Sequence, residues 1–296
     1  KDGVNMGIKV SNLVMEYKKG VKSLDHVNLN IDHGIYGLLG ENGAGKTTLM
    51  KILVTLLTPT SGTAEINGLT VEPKNFEAIK KQIGYLPQEF GLYPNLTVRE
   101  SLEYVGIMSG MNKMEYQKQI DYYLEATGLS EHQTKKNRQL SGGMKRRVGL
   151  VQALLHNPSI LIVDEPTTGL DPEERIRIRN LLVDFSTDRT VLFSTHVTED
   201  LAATCDRLCI LRKGQIVYNG RMNELIAMAD NHVFSRSFQN EVDFQKFQRE
   251  YKITSKIYEA NCITVRFVSE TAPDFPCSCC TPNLEDAYIY SLYVKK

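Results

Sequence analysis

Gly40-Glu41-Asn42-Gly43-Ala44-Gly45-Lys46-Thr47 sets three glycines, a lysine and a hydroxyl in the spacing GxxxxGK[ST], the pattern of a P-loop. Such a loop curls its backbone N–H groups inward around phosphate oxygens, and a side chain at the glycine positions would block the approach. The helix that follows aims its positive end at the same anion. Lys46 is placed to reach the β- and γ-phosphates, and Thr47 to ligate Mg²⁺. A second chemical feature lies further along, where the apolar run 160–163 ends in Asp164 and Glu165. Open α/β sheets collect ligands at the carboxyl ends of their strands. Asp164 is therefore expected to hold Mg²⁺, and Glu165 to orient and deprotonate an attacking water.

These groups need a scaffold, and its outline is visible in the hydrophobic pattern. Residues 35–39 form an apolar strand that runs straight into the glycine loop, followed by a helical pattern over 48–57. Residues 8–14, 23–31 and 64–66 read as strands, the last entering a turn at Asn67-Gly68. From about 97 to 156 the spacing is helical, with segments at 101–109, 114–127 and 143–155. Strands at 160–163 and 191–193 flank a polar helix at 173–184. Strands that alternate with helices imply an α/β core with a mostly parallel sheet. Beyond Gly220 the composition changes, and 225–296 reads as a small β-α-β-β-α appendage. Its segments are a strand at 232–238, a helix at 242–251, strands at 253–259 and 262–268 joined at Asn261, and a helix near 284–293. The domains expected are thus 6–224, with a helical part at about 97–156, and 225–296.

Composition bounds the partners. The 296 residues are 42% hydrophobic and carry 35 basic and 35 acidic side chains, a balance that gives no reason to expect a nucleic acid or an anionic lipid surface. The unbroken apolar runs, such as 160–163 and 208–211, are far shorter than the roughly 20 residues of a membrane span. The first residues lack the apolar stretch of a signal peptide, and Met6 reads as a natural start. The six cysteines are expected to be thiols. Cys277, Cys279 and Cys280 lack the matching CxxC or His pair of a metal site, so incidental thiols are expected there too.

Other residues in the same order resemble one family. Leu140-Ser141-Gly142-Gly143-Met144 resembles the signature of ABC-type ATPases, usually written LSGGQ. Gln88 resembles the glutamine of the Q-loop, Gly169-Leu170-Asp171 the D-loop, and His196 the switch histidine. Tyr17 sits where that family places an aromatic that stacks on adenine. The match extends over about 8–220 and departs at Met144, where glutamine is usual. Lys145-Arg146-Arg147 and Pro282-Asn283-Leu284-Glu285-Asp286-Ala287 are similar to drug and antibiotic exporters of the ABC-2 type. The resemblance implies a P-loop NTPase core, an N-terminal antiparallel β subdomain and a helical subdomain that carries the signature.

It implies further that ATP lies on Tyr17, Gly40, Asn42, Gly43, Ala44, Gly45, Lys46, Thr47 and Thr48. Ser141, Gly142, Gly143 and Asp171 would come from a second copy, or from a related ATPase subunit, packed head to tail. Lys46, Gln88, Glu165 and His196 would act in hydrolysis, and Thr47, Gln88 and Asp164 would hold Mg²⁺. The expected partner is a separate transmembrane permease, reached through Gln88 and the loop 90–96, with this chain peripheral on the cytoplasmic face of the cell membrane. The export cargo would be that permease's concern.

Two other readings compete with this one. A nucleic-acid or ribosome ATPase of the same family is disfavoured, because the spacing from Lys46 to Ser141 leaves no room for a long coiled-coil insertion, such ribosome-acting relatives usually fuse two cassettes where residues 1–296 hold one, and those residues include no basic domain. A nucleotide sensor that does not hydrolyse would not need Lys46, Asp164, Glu165 and His196 together.

Overall fold

A computed structural model of the protein describes residues 7–18, 20–259 and 262–293. Met6 and Asn261, singled out above, lie outside the described residues. Strands β1 (Ile8–Lys18) and β2 (Val21–Ile31) pair antiparallel and lead into β3 (Gly34–Leu39), of which Tyr36–Leu39 are buried. The glycine loop follows, then α1 (Lys46–Leu53). This helix starts two residues before the periodicity suggested and stops short of Leu57. Thr55 takes a left-handed conformation, φ +66°, and the N–H groups of Leu56 and Leu57 fold back onto the Lys51 carbonyl. Next come β4 (Ser61–Ile66) and β5 (Leu69–Thr70), with Asn67 and Gly68 both at positive φ in the turn between them. That is the two-residue hairpin chemistry the Asn-Gly pair announces.

Helix α2 (Phe76–Lys80) and the four-residue β6 (Ile83–Leu86) precede the helical segment. There α3 (Val98–Met108) and α4 (Lys113–Ala126) each open on a capping box, Thr97 with Glu100 and Asn112 with Glu115. The third long helix, α5 (Gly142–Leu154), is capped by Ser141. The chain then alternates through β7 (Ile160–Asp164), α6 (Pro172–Phe185), β8 (Thr190–Thr195), α7 (Thr198–Ala202), β9 (Arg207–Arg212) and β10 (Gln215–Arg221). Every residue of β7 and β8 is buried, as expected of strands covered on both faces.

The strands form a six-stranded sheet of order β10-β9-β3-β8-β7-β6, in which β3, β8, β7 and β6 run parallel. A separate antiparallel sheet has the order β2-β1-β4-β5. By its internal contacts the chain divides into two compact units, Lys1–Cys205 with Leu211–Ile216, and Asp206–Ile210 with Val217–Lys296.

The second unit contains α8 (Met222–Ala227), β11 (Val233–Phe238), α9 (Glu241–Glu250), β12 (Lys252–Glu259), β13 (Cys262–Val268), β14 (Ser278–Cys279) and α10 (Leu284–Tyr293). Its antiparallel sheet has the order β12-β13-β11-β14. The two-residue β14 is absent from the sequence reading because it is too short to show a period. On this sheet the rings of Phe234, Phe238, Phe244, Phe247 and Phe267 pack into one cluster, with Phe247 and Phe267 edge to face at 4.8 Å. The buried Asp286 carboxylate takes Thr254, Arg266 and the Asn283 N–H, which ties the start of α10 to β12 and β13. Replacing the fully buried Phe267 by alanine is expected to destabilise this unit by about 3–5 kcal/mol. Urea unfolding followed by circular dichroism measures the loss.

Candidate functional site

The glycine loop is shaped by packing on one side and left open on the other. A Cβ on Gly40 would lie 2.4 Å from the Leu211 carbonyl oxygen. One on Gly45, already at φ +110°, would lie 2.5 Å from the Ser23 carbonyl oxygen. Gly43, at φ +80°, has no atom within 4 Å of a built Cβ, so its backbone faces free space. That space is an open cavity of about 350 Å³ lined by the loop together with Gln88 and Glu165. Ala44 is buried under the loop while Asn42 stands at its rim. A phosphate chain fits this polar cradle, which presents N–H groups, a lysine and a helix start.

Lys46 opens α1 and is buried. Its Nζ donates to the Gly40 and Glu41 carbonyls at 2.6 and 3.2 Å and lies 3.8 Å from Glu165 Oε1. Burial pulls the ammonium below the usual lysine range, opposed by the negative charges of Glu165 and Asp164. Thr47 Oγ1 donates to Asp164 Oδ2 at 2.8 Å. A hydroxyl and a carboxylate in contact are a hard oxygen pair, the donor chemistry that suits Mg²⁺. Thr48 Oγ1 lies 2.8 Å from Ser23 Oγ and 3.3 Å from the Tyr17 hydroxyl. Tyr17 as a residue is 55% exposed, which leaves room for a flat ligand to stack on it.

The two carboxylates stand at the end of β7. Register pairs Asp164 with Ser194 of β8, and the Ser194 hydroxyl donates to Asp164 Oδ1. Glu165 sits at φ +49°, a left-handed conformation that costs a side-chain-bearing residue of order 1–3 kcal/mol. Its N–H is fixed by Ser194 at 3.1 Å. The buried carboxylate is gripped on both oxygens. His196 Nδ1 lies 2.9 Å from Oε1, while Gln88 Nε2 and Thr168 Oγ1 donate to Oε2 at 3.2 Å. Lys46, Thr47, Gln88, Asp164, Glu165 and His196 thus come together as one constellation. It can hold a triphosphate, a hard cation and one water beside a carboxylate base.

The signature residues stand apart from this cavity. Ser141 accepts the Met144 N–H at 3.2 Å as the cap of the 13-residue α5. Ser141 and Gly142 are exposed, and neither they nor Gly143 line the phosphate cavity. Asp171 precedes Pro172 at the start of α6 and is also exposed.

Several residues at the site were not anticipated. Ser194 and Thr168 touch the two carboxylates, and fully buried Asp200 accepts from Thr167 at 2.6 Å with Arg179 at 3.5 Å. Arg146 enters the sequence analysis only within the Lys145-Arg146-Arg147 continuation of the signature, similar to exporters, yet its guanidinium is buried among carbonyls. Among the described residues no group of three or more His, Cys, Asp or Glu side chains gathers as a metal cluster, and no helix is long and apolar enough to cross a membrane.

A parallel core with a glycine cradle at one strand end and paired acids at another is the architecture of a P-loop nucleoside triphosphatase. Residues 24–168 match the family described as ABC transporter. An uncharacterized ABC transporter ATP-binding protein of Bacillus subtilis, YxlF, is 37% identical over 85% of this chain and 83% of its own. The bacitracin transport ATP-binding protein BcrA of Bacillus licheniformis is 41% identical over 71% and 68%. Among solved structures, the dimeric post-hydrolysis state of the ATP-binding cassette MJ0796 bound to ADP and Pi superposes with a TM-score of 0.67. Its identity is 29%, over 72% of this chain and 98% of that one. The chain belongs to the ATP-binding proteins of ABC transporters, and it is an ATPase.

Proposed function

We propose that two copies of this chain, or this chain and a related subunit, close head to tail on ATP and hydrolyse it to drive export through a separate membrane subunit. The observation that carries the reading is the division of labour around the phosphate. One chain brings Lys46, Thr47, Gln88 and Glu165 to a single cavity, with Asp164 bonded to Thr47 and His196 to Glu165, while the capped tip of α5 at Ser141 is exposed and outside that cavity. A helix N-terminus draws anions, and a terminal phosphate presented by the other copy supplies one. Breaking the bond to that phosphate removes the bridge, so ATP closes the pair and ADP releases it.

In this scheme adenine stacks on Tyr17, and Gly40, Asn42, Gly43, Ala44, Gly45 and Thr48 wrap the phosphates. Lys46 exchanges its two carbonyl partners for phosphate oxygens. Glu165 takes the proton of a water that attacks the terminal phosphorus, and the electron pair leaves on the bridging oxygen of ADP. His196 holds Glu165 and meets the terminal phosphate, while Asp171 lines the facing copy. Thr47, Asp164 and Gln88 would hold Mg²⁺, which neutralises charge on the phosphates. The membrane subunit docks at Gln88 and the loop that follows, beside a groove of about 260 Å³ lined by Phe90, Val105 and His156. The chain works peripherally on the cytoplasmic face of the cell membrane, with 6–224 as the ATPase domain and 225–296 as an accessory one. The export reading rests on relatives such as the bacitracin transport protein and on the Nod factor export ATP-binding protein I of Burkholderia lata, 40% identical over 64% of this chain.

Sedimentation of the Glu165→Gln chain tests the pairing. With MgATP its mass is expected to rise from 33.5 kDa to twice that value and to fall back with MgADP. A mass unmoved by MgATP contradicts pairing of two copies of this chain and leaves only the related subunit as partner.

A further inference from the structure

Arg146 lies on α5, the helix that Ser141 caps, and it is 8% exposed. Its Nη1 donates to the carbonyls of Pro87 and Gln88 at 3.1 and 2.6 Å. Its Nη2 donates to those of Asp164 and Glu165, and its Nε reaches that of Pro166 at 3.4 Å. The guanidinium also lies 5.7 Å from the centre of the Phe90 ring. A guanidinium has five donors in a rigid planar fork and accepts nothing. Here the fork spans two separate loops, the one after β6 that carries Gln88 and the one after β7 that carries Glu165. A lysine ammonium, a single point with three donors, cannot cover both edges of that fork.

The backbone explains why such a clamp is needed. Glu165 is held in the left-handed region, a conformation that persists only where the surroundings enforce it. Arg146 takes the carbonyls on both sides of the Glu165 Cα, which fixes the two peptides that aim its side chain. The same group takes the Gln88 carbonyl and so sets the distance over which Gln88 Nε2 meets Glu165 Oε2. We infer that Arg146 is a positioning residue for hydrolysis: it locks the Glu165 and Gln88 loops to each other and to the helix whose tip Ser141 forms. Arg146 is not among the residues that line the phosphate cavity. The inference rests on the proposal that Glu165 activates the water.

The test uses the full chain with Arg146→Lys and, separately, Arg146→Met, beside Glu165→Gln. MgATP turnover, affinity for a fluorescent ATP analogue and the thermal midpoint are measured for each. Arg146→Lys is expected to lower kcat about 10- to 100-fold, as a misplacement near 1 Å can, with nucleotide Kd within about twofold of the parent chain, both measured well below the variant's thermal midpoint. Added to Glu165→Gln, it lowers turnover little further, because the group it aims has already been removed. A merely structural arginine would lower the midpoint, the affinity and kcat together, and that pattern overturns the inference. Parental kcat in Arg146→Lys, with Glu165→Gln inactive, overturns it as well. Should Arg146→Met not fold, Arg146→Lys alone decides. Full turnover by Glu165→Gln instead overturns the function proposed above and, with it, the purpose assigned to Arg146.

Discussion

Glu165→Gln is expected to lower MgATP turnover by about 10²- to 10⁴-fold, the usual worth of a positioned general base. Nucleotide affinity should stay within about twofold of the parent. The substitution keeps the shape of the side chain and its capacity to bond with His196, Gln88 and Thr168, the three groups that hold it now. What it removes is the ability to accept a proton from water. The cradle at Gly40–Thr47 and the Thr47–Asp164 contact remain intact, so phosphate binding survives. Phosphate release in steady state, set beside equilibrium titration with ATP, separates the two quantities. A parallel loss of affinity and turnover would show that Glu165 serves the architecture of the pocket rather than the water.

Lys46→Ala should act on the other quantity. The ammonium sits in the cavity, bonded to the Gly40 and Glu41 carbonyls, where it stands ready for phosphate oxygens. A hydrogen bond to a charged group contributes about 1.5–3 kcal/mol, which corresponds to a Kd weakened about 10- to 100-fold. The fold should tolerate the change, because the ammonium it removes lines an open cavity of about 350 Å³ that admits water in its place. Calorimetric titration of the folded variant with ATP checks the prediction, and parental affinity there would place the lysine outside the phosphate site. The two variants therefore separate in opposite ways, one in turnover at constant affinity and the other in affinity first.

Much of this site was legible because it is built from contiguous residues. The glycine loop needs its glycines at fixed steps, and the signature serine caps its own helix within three residues, so each leaves a local pattern. The buried strands β7 and β8 were readable as apolar runs for the same reason. The contributions of Ser194, Thr168, Asp200 and Arg146 were not legible. Ser194 meets Asp164 only through the register of two strands separated by α6, and the nearby His196 marks the strand end without revealing that pairing. Arg146 stands between Lys145, which is exposed, and Arg147, which is paired with Glu174, and a basic triplet does not reveal which member turns inward. Short elements escaped as well, since β6 and α7 span four and five residues, too few to display a period. The end of α1 depended on the backbone conformation of Thr55, which composition does not announce.

The shared phosphate is tested most directly by mixing two defective chains. Glu165→Gln lacks the base, and Ser141→Ala lacks the hydroxyl offered to the other copy, so each alone should show almost no turnover. A mixed pair contains one site with both lesions and one with neither, and MgATP hydrolysis should reappear when equal amounts are combined. A mixture as inactive as its two components would mean that Ser141 and Glu165 serve the same chain's nucleotide, and the head-to-tail arrangement would be wrong.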